Sequence, residues 1–279
     1  VQGYADEFMA ENPGVVVNPV YTGSYTQTRE TVLTEGMDPV VDVAVMLSID
    51  LFSFIEEGTI VPLTDYLGEA QIEDTFASLW LNSIDEDGNY WSVPFQRSTP
   101  VLYYNADLLA ENGIDVPTNN EELLAAAQAL TTEDRFGLMV PIAGTFPIWM
   151  FESFANAYGQ PLSDPEQPAQ VFLDTPEALE AATFLVELGE EYGVMPVGGS
   201  AWGDTPTALI SGQAAMVYHT TGSLTSILSN ADFEVGVAFP PSGPAGEDGT
   251  GFGTPTGGGN LYIFDNPNAP KTQAELDAA

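Results

Sequence analysis

Apolar positions along this chain fall into two kinds of stretch: short continuous runs, of the sort that buries a strand, and runs spaced three and four apart, as on a helix with one buried face. Tyr4, Phe8 and Met9 share a helical face over residues 4–11, which Asn12-Pro13-Gly14 stops. Residues 15–17 with 19–21 predict one buried strand. A helix from the loop at 22–25 through Glu35, a break at Asp38-Pro39 and a second strand over 40–46 follow. A helix through Phe54 and an acidic segment of helical spacing through Trp80 lead to 85–89, whose Asp-Gly pair signals a hairpin turn. Next comes a polar loop holding Arg97, then a buried strand at 101–104. The second half predicts helices at 121–130 (capped by Thr118), 177–191 and 205–211. Its strands are expected at 136–140, 214–218, 233–239 and 261–264. Continuous apolar strands alternating with helices predict an α/β fold with parallel sheets covered on both faces. Ligand sites are then expected in the loops at the carboxyl ends of the strands.

Charge changes this picture most. The 279 residues carry 41 acids and 4 bases, a formal net charge of −37. Such a chain repels itself in dilute buffer, whereas at ~1 M salt the Debye length is about 3 Å and the repulsion is largely screened. The composition therefore reads as halophilic. An acidic surface made for a basic partner is the competing reading, and the scatter of the acids along the whole chain speaks against it. Nucleic acid is excluded as a partner on charge. A hydrophobic fraction of 44% excludes a disordered acidic tail. Having no cysteine, the chain has no disulfide, thiol nucleophile or zinc–thiolate site. No apolar run approaches the ~20 residues of a membrane-spanning helix. The first residues carry no signal peptide or lipid-attachment cysteine, and both ends stop in a helical pattern, so the chain reads as cut at both ends.

Chemistry of the catalytic kind is thinly supported. The one histidine, His219, is read as supporting a loop. No Gly-x-Ser-x-Gly occurs, Gly251-Phe252-Gly253 lacks the third glycine of a dinucleotide fingerprint, and no ligands stand at zinc spacing. Neither a cofactor nor a metal is expected. A carbohydrate hydrolase using two acids remains a distant alternative, since paired acids arise by chance among so many.

The wording "VPF..STPVLYYN.DLL..NGID.P.N.EEL" from Val93 onward resembles the extracytoplasmic solute-binding proteins of ABC transporters, of the type that binds sugars and glycerol phosphates. "F..ENPGVVV.P.Y.GSY.Q", "I.PL.D" near Ile60, "E.F....G.P." from Glu152 and "GQAAMV...TGSL..I" from Gly212 match in the same order. The glycerol-3-phosphate-binding branch shares the most wording. The resemblance implies an α/β, two-lobe, periplasmic-binding-protein-like fold, truncated here at both ends. It implies an N-terminal lobe of residues 1–102 plus 242–279 and a C-terminal lobe of residues 103–241, with hinge crossings near 100–105 and 238–245. Ligand would sit in the cleft between lobes that close on it.

As function it implies the binding component of an importer, not an enzyme, capturing glycerol 3-phosphate or a glycerophosphodiester, or alternatively a neutral sugar or oligosaccharide. Expected partners are the small-molecule ligand and the permease subunits, and the protein is expected to be a monomer at the extracellular face of the membrane, secreted or lipid-anchored. Carried over residue by residue, the ligand-contacting candidates are Tyr25, Asp50, Ser98, Phe146, Trp149, Thr221, Gly222, Ser223, Gly258 and Asn260. Arg97 joins them on its own chemistry, as a bidentate phosphate contact in a chain poor in cations. Bland readings stand beside several. Tyr25 either touches ligand or packs the start of its helix. Asp50 either replaces a family glutamate that aligns with Leu47 or caps the next helix. Trp149 stacks on ligand or lies in the core. The turn at 221–223 either presents N–H groups and a helix dipole to an anion or is an ordinary cap.

Overall fold

A computed structural model of the chain describes residues 1–34, 41–144, 146–164, 170–243, 253–265 and 270–279. In chain order these form α1 (Gln2–Glu11), α2 (Tyr25–Thr34), β1 (Val43–Leu47), α3 (Leu51–Glu57), α4 (Glu69–Glu73), α5 (Ala77–Trp80) and β2 (Val93–Ser98). There follow β3 (Pro100–Asn105), α6 (Ala106–Glu111), α7 (Asn120–Leu130), β4 (Phe136–Met139), α8 (Pro147–Ala157), α9 (Pro176–Glu190) and α10 (Asp204–Ile210). The last elements are β5 (Ala214–Thr220), α11 (Leu224–Asn230), β6 (Val235–Ala238), β7 (Gly257–Ile263) and α12 (Gln273–Ala278). They divide into two units: Val1–Arg97 with Gly257–Ala279, and Ser98–Thr256.

The first unit is built on a three-stranded sheet of order β1-β7-β2. β1 and β7 run antiparallel, Val43 opposite Ile263 and Leu47 opposite Gly259. The core beneath holds Met46, Leu51, Phe54, Tyr262 and Phe264. Phe54 meets Tyr262 and Phe264 edge-to-face at 5.5 and 5.4 Å between ring centroids. Burying one such ring contributes about 2–3 kcal/mol. β7 lies against β2 only because Gly258 has no side chain: a Cβ there would run into the Gln96 carbonyl oxygen, and its φ of +99° is one that L residues avoid.

Two expectations fail in this unit. The apolar stretch 15–21 is not a buried strand. It pairs with nothing among the described residues, and Val16 and Tyr21 are 84% and 91% exposed. Apolar side chains alone do not make a strand where no ladder accepts the backbone N–H groups. Conversely, the polar segment around Arg97, expected to be a loop, is strand β2. The expected break at Asp38-Pro39 lies outside the described residues.

In the second unit the sheet order is β4-β5-β3-β6. β3 runs antiparallel to both β5 and β6, and only β4 with β5 is parallel. The parallel expectation is thereby corrected: β5 and β6, joined through α11, run in the same sense, and β3 lies between them in the opposite one. The first four residues of β3 are buried, as its unbroken apolar run requires. α7 packs so closely on β4 that a side chain at Gly137 would strike the Ala127 carbonyl. Its cap is Asn119, whose side chain accepts from the Glu122 N–H. Thr118, expected to be the cap, instead donates through N and Oγ1 to the Glu122 carboxylate, each at 2.8 Å.

The divisions between units fall at 97/98 and 256/257, where the sequence reading has 102/103 and 241/242. Hydrogen bonding accounts for the difference. The whole of β3 belongs to the second sheet, and Ser242 is bound on both sides, its N–H to Thr118 O and its carbonyl to Asn120 N–H. Further on, Asn156 Nδ2 donates to Gly253 O at 2.7 Å, and Thr99 and Thr254 share a hydroxyl contact of 2.6 Å. No described helix is long and apolar enough to cross a membrane.

Candidate functional site

In the first unit five of the candidates cluster around the amino end of β7. Tyr25 opens α2, and its hydroxyl donates to Gln96 Oε1 at 3.4 Å. The ring lies over Gly259, close enough that a Cβ there would come within 3.0 Å of Tyr25 Cε1. Burial pushes the phenol upward from its usual range, and the nearby Arg97 charge counteracts this. Arg97, half-buried in β2, donates from Nη1 to Asn260 Oδ1 at 3.2 Å and from Nη2 to Asn82 Oδ1 at 3.0 Å. Burial lowers its affinity for a proton, and the Tyr262 and Tyr25 phenols offset that. Two amide oxygens thus help to fix the guanidinium in place.

Asn260 is 0% exposed. Its Oδ1 accepts from Arg97, and its Nδ2 points at Ser92 Oγ (2.9 Å), Ser83 Oγ (3.0 Å) and Asn82 O (3.2 Å). Every polar atom of this side chain is engaged inside the protein, which makes it a support for Arg97. Gly258 is similarly accounted for by its approach to β2. Asp50 follows β1 in a 3-10 turn and caps no helix N–H. Its carboxylate faces Arg29 at 3.7 Å, in a pairing that Arg29 shares with Glu57 at 3.0 Å. Burial pushes the Asp50 carboxyl up more than Arg29 draws it down.

The second unit presents an aromatic cluster. Phe146 caps the amino end of α8 in a left-handed conformation, φ 61°, and is the sole non-glycine with positive φ among the described residues. Its ring meets Trp202 edge-on at 5.2 Å, and Trp149 lies tilted against Trp202 at 6.0 Å. Trp149 also packs on the core. Its Nε1 is buried and meets no acceptor among the described residues. Trp202 escaped the sequence reading. The available signal was a tryptophan two residues after Gly198-Gly199-Ser200 and just ahead of α10, where a bulky residue has no obvious core to fill.

Ser98 is half-buried at the end of β2. The turn at 221–223 is largely occupied with itself. Thr221 exchanges bonds with Thr99 in both directions (2.9 and 3.2 Å), and Gly222 N–H donates to Thr220 Oγ1 at 3.2 Å. α11 behind it has only seven residues, too short for much dipole. The case for an anion at this turn weakens accordingly. Ser223 caps none of the N–H groups of α11; its Oγ lies 2.7 Å from His219 Nδ1. Among the described residues no group of three acids, histidines or cysteines is placed to hold a metal.

A family model for bacterial extracellular solute-binding protein matches residues 1–275. A putative binding protein of Brucella abortus (strain 2308) is 28% identical over 252 residues, covering 87% of this chain and 60% of the relative. The sn-glycerol-3-phosphate-binding periplasmic protein UgpB of Escherichia coli (strain K12) is 26% identical over 260 residues, covering 86% of this chain and 57% of the relative. The chain therefore spans less than two thirds of the length of these curated relatives. Among solved structures, UgpB from Mycobacterium tuberculosis in complex with glycerophosphocholine aligns with a TM-score of 0.85 at 23% identity, covering 99% of this chain and 68% of that one. Maltose-bound MalE3 of T. maritima aligns with a TM-score of 0.81 at 22% identity, covering 99% and 70%. At such identities these likenesses speak to the fold, which is the two-lobe α/β fold of periplasmic binding proteins.

Proposed function

Because the chain belongs to the family of bacterial extracellular solute-binding proteins, we propose that it serves as the solute-binding component of an ABC importer. In that role it takes up glycerol 3-phosphate or a glycerophosphodiester outside the cell and hands it, chemically unchanged, to permease subunits. The observation that carries the ligand reading is the cluster of Phe146, Trp149 and Trp202. Aromatic faces suit the CH groups of a polyol or a quaternary ammonium, and such rings catalyse nothing by themselves. Arg97, in the other unit, is a candidate phosphate contact on its own chemistry. Its planar fork matches phosphate, and the side-chain oxygens of Asn260 and Asn82 accept from it. Support also comes from the glycerol-3-phosphate-binding E. coli relative and from the neighbour solved with glycerophosphocholine.

A neutral sugar is the second reading, favoured by the self-satisfied turn at 221–223 and by the maltose-bound neighbour. The two diverge on Arg97. With a phosphate ligand, Arg97→Ala weakens glycerol 3-phosphate or glycerophosphocholine about 10- to 100-fold at fixed molar KCl, as expected for a lost charge-assisted hydrogen bond. Unchanged affinity would leave the neutral-sugar reading. The excess of acids fits a protein working in concentrated salt.

A further inference from the structure

His219, the one histidine of the chain, is 1% exposed. Its Nε2 lies 3.0 Å from the Trp202 carbonyl oxygen and its Nδ1 lies 2.7 Å from Ser223 Oγ. A carbonyl oxygen only accepts, so Nε2 carries the ring proton. Burial penalises the imidazolium and pushes its pKa down to about 4, so near neutral pH the ring is uncharged and Nδ1 holds a lone pair. The 2.7 Å contact then has one direction: Ser223 donates its single hydroxyl proton to Nδ1. The Trp202 indole lies against the imidazole, centroids 4.1 Å apart, and holds the ring in place. Ser223 is half-buried and gives its lone pairs to none of the N–H groups of α11.

We infer that His219 fixes the polarity of Ser223, so that this hydroxyl meets a ligand as a hydrogen-bond acceptor and selects a ligand hydroxyl over a phosphate or carboxylate oxygen. His219 is then a positioning residue that touches no ligand. The inference rests on the reading above that Ser223 faces the ligand. A phosphate oxygen at Ser223 would set lone pair against lone pair, and discrimination built on such a mismatch is strong because neither group finds its partner. The polyol end of a glycerophosphodiester satisfies this unit, and its phosphate belongs elsewhere.

A single histidine makes the test unambiguous. Long-range proton–nitrogen spectra of the protein at pH 7 are expected to show the Nε2–H tautomer, and Ser223→Ala to shift the Nδ1 resonance while leaving Nε2 in place. A ring protonated on Nδ1, or an Nδ1 signal indifferent to Ser223→Ala, overturns the inference. Inorganic phosphate titrated at constant ionic strength is expected to leave the Nδ1 resonance unmoved. A phosphate-dependent loss of the Ser223–Nδ1 bond overturns the inference as well. By calorimetry, Ser223→Ala weakens glycerophosphocholine about five- to tenfold, the size of one neutral hydrogen bond; unaltered affinity contradicts selection by Ser223. Absence of binding heat in the unsubstituted protein counts against the proposed ligand, and the tautomer and phosphate titrations still decide the polarity of the hydroxyl.

Discussion

Asn260 and Gly258 show what a residue type reveals and what it withholds. A glycine run before a strand signals close backbone approach, and that much is legible. The partner of the approach is not: for Gly258 it is the Gln96 carbonyl of the neighbouring strand. Gly258→Ala is expected to destabilise by about 2 kcal/mol or more, from clash plus an unfavourable φ, in denaturant titrations at fixed salt. Asn260 reads as a ligand contact from its position; in the structure it is buried and accepts from Arg97. Asn260→Ala strands Ser83, Ser92 and the guanidinium and is expected to cost about 2–3 kcal/mol. His219 yields a pH prediction whose sign follows from its folded pKa of about 4 against 6.5 for the free side chain. Between these values the unfolded chain binds the proton and the folded one refuses it. The stabilisation is therefore complete above pH 6.5 and is lost as pH falls toward 4, by about 3 kcal/mol in all. Comparing the pH dependence of stability in the protein and in His219→Gln isolates this contribution from the carboxylates.

At the level of elements, β3 was legible because four consecutive apolar side chains have nowhere to go except a covered strand. β2 was not, because Pro94, Gln96 and Arg97 look like a loop, and what makes them a strand is pairing with β7, some 160 residues away in sequence. The same non-local cause explains the error at 15–21 and the antiparallel sense of β3: ladders are made by partners that a local pattern does not contain. Trp202 was missed for a related reason, since only folding brings it against Phe146 and Trp149. The left-handed Phe146 at the start of α8 is strain kept at a candidate site. Phe146→Gly relieves that strain while removing one ring of the cluster. Stability is expected to change by no more than about 1 kcal/mol, and glycerophosphocholine affinity to fall clearly. A large loss of stability with unchanged affinity would make Phe146 a packing residue only.

For the whole molecule, the charge of −37 sets the conditions in which any measurement has meaning. Melting temperature is expected to rise as KCl increases from ~0.1 M to ~2 M, because the Debye length falls from about 10 Å to below 3 Å. A melting temperature indifferent to salt would mean that the acids serve something other than life in brine. The architecture of two α/β units, the family match and the ring cluster support the proposed reversible capture of a small solute. Titration calorimetry of the protein in molar KCl against glycerol 3-phosphate, glycerophosphocholine, maltose and mannitol tests this most directly. Saturable heat with a phosphate-bearing polyol, recovered unaltered after the titration, is the result predicted. Turnover of any of the four, or binding of maltose alone with no competition from the phosphates, would contradict the account.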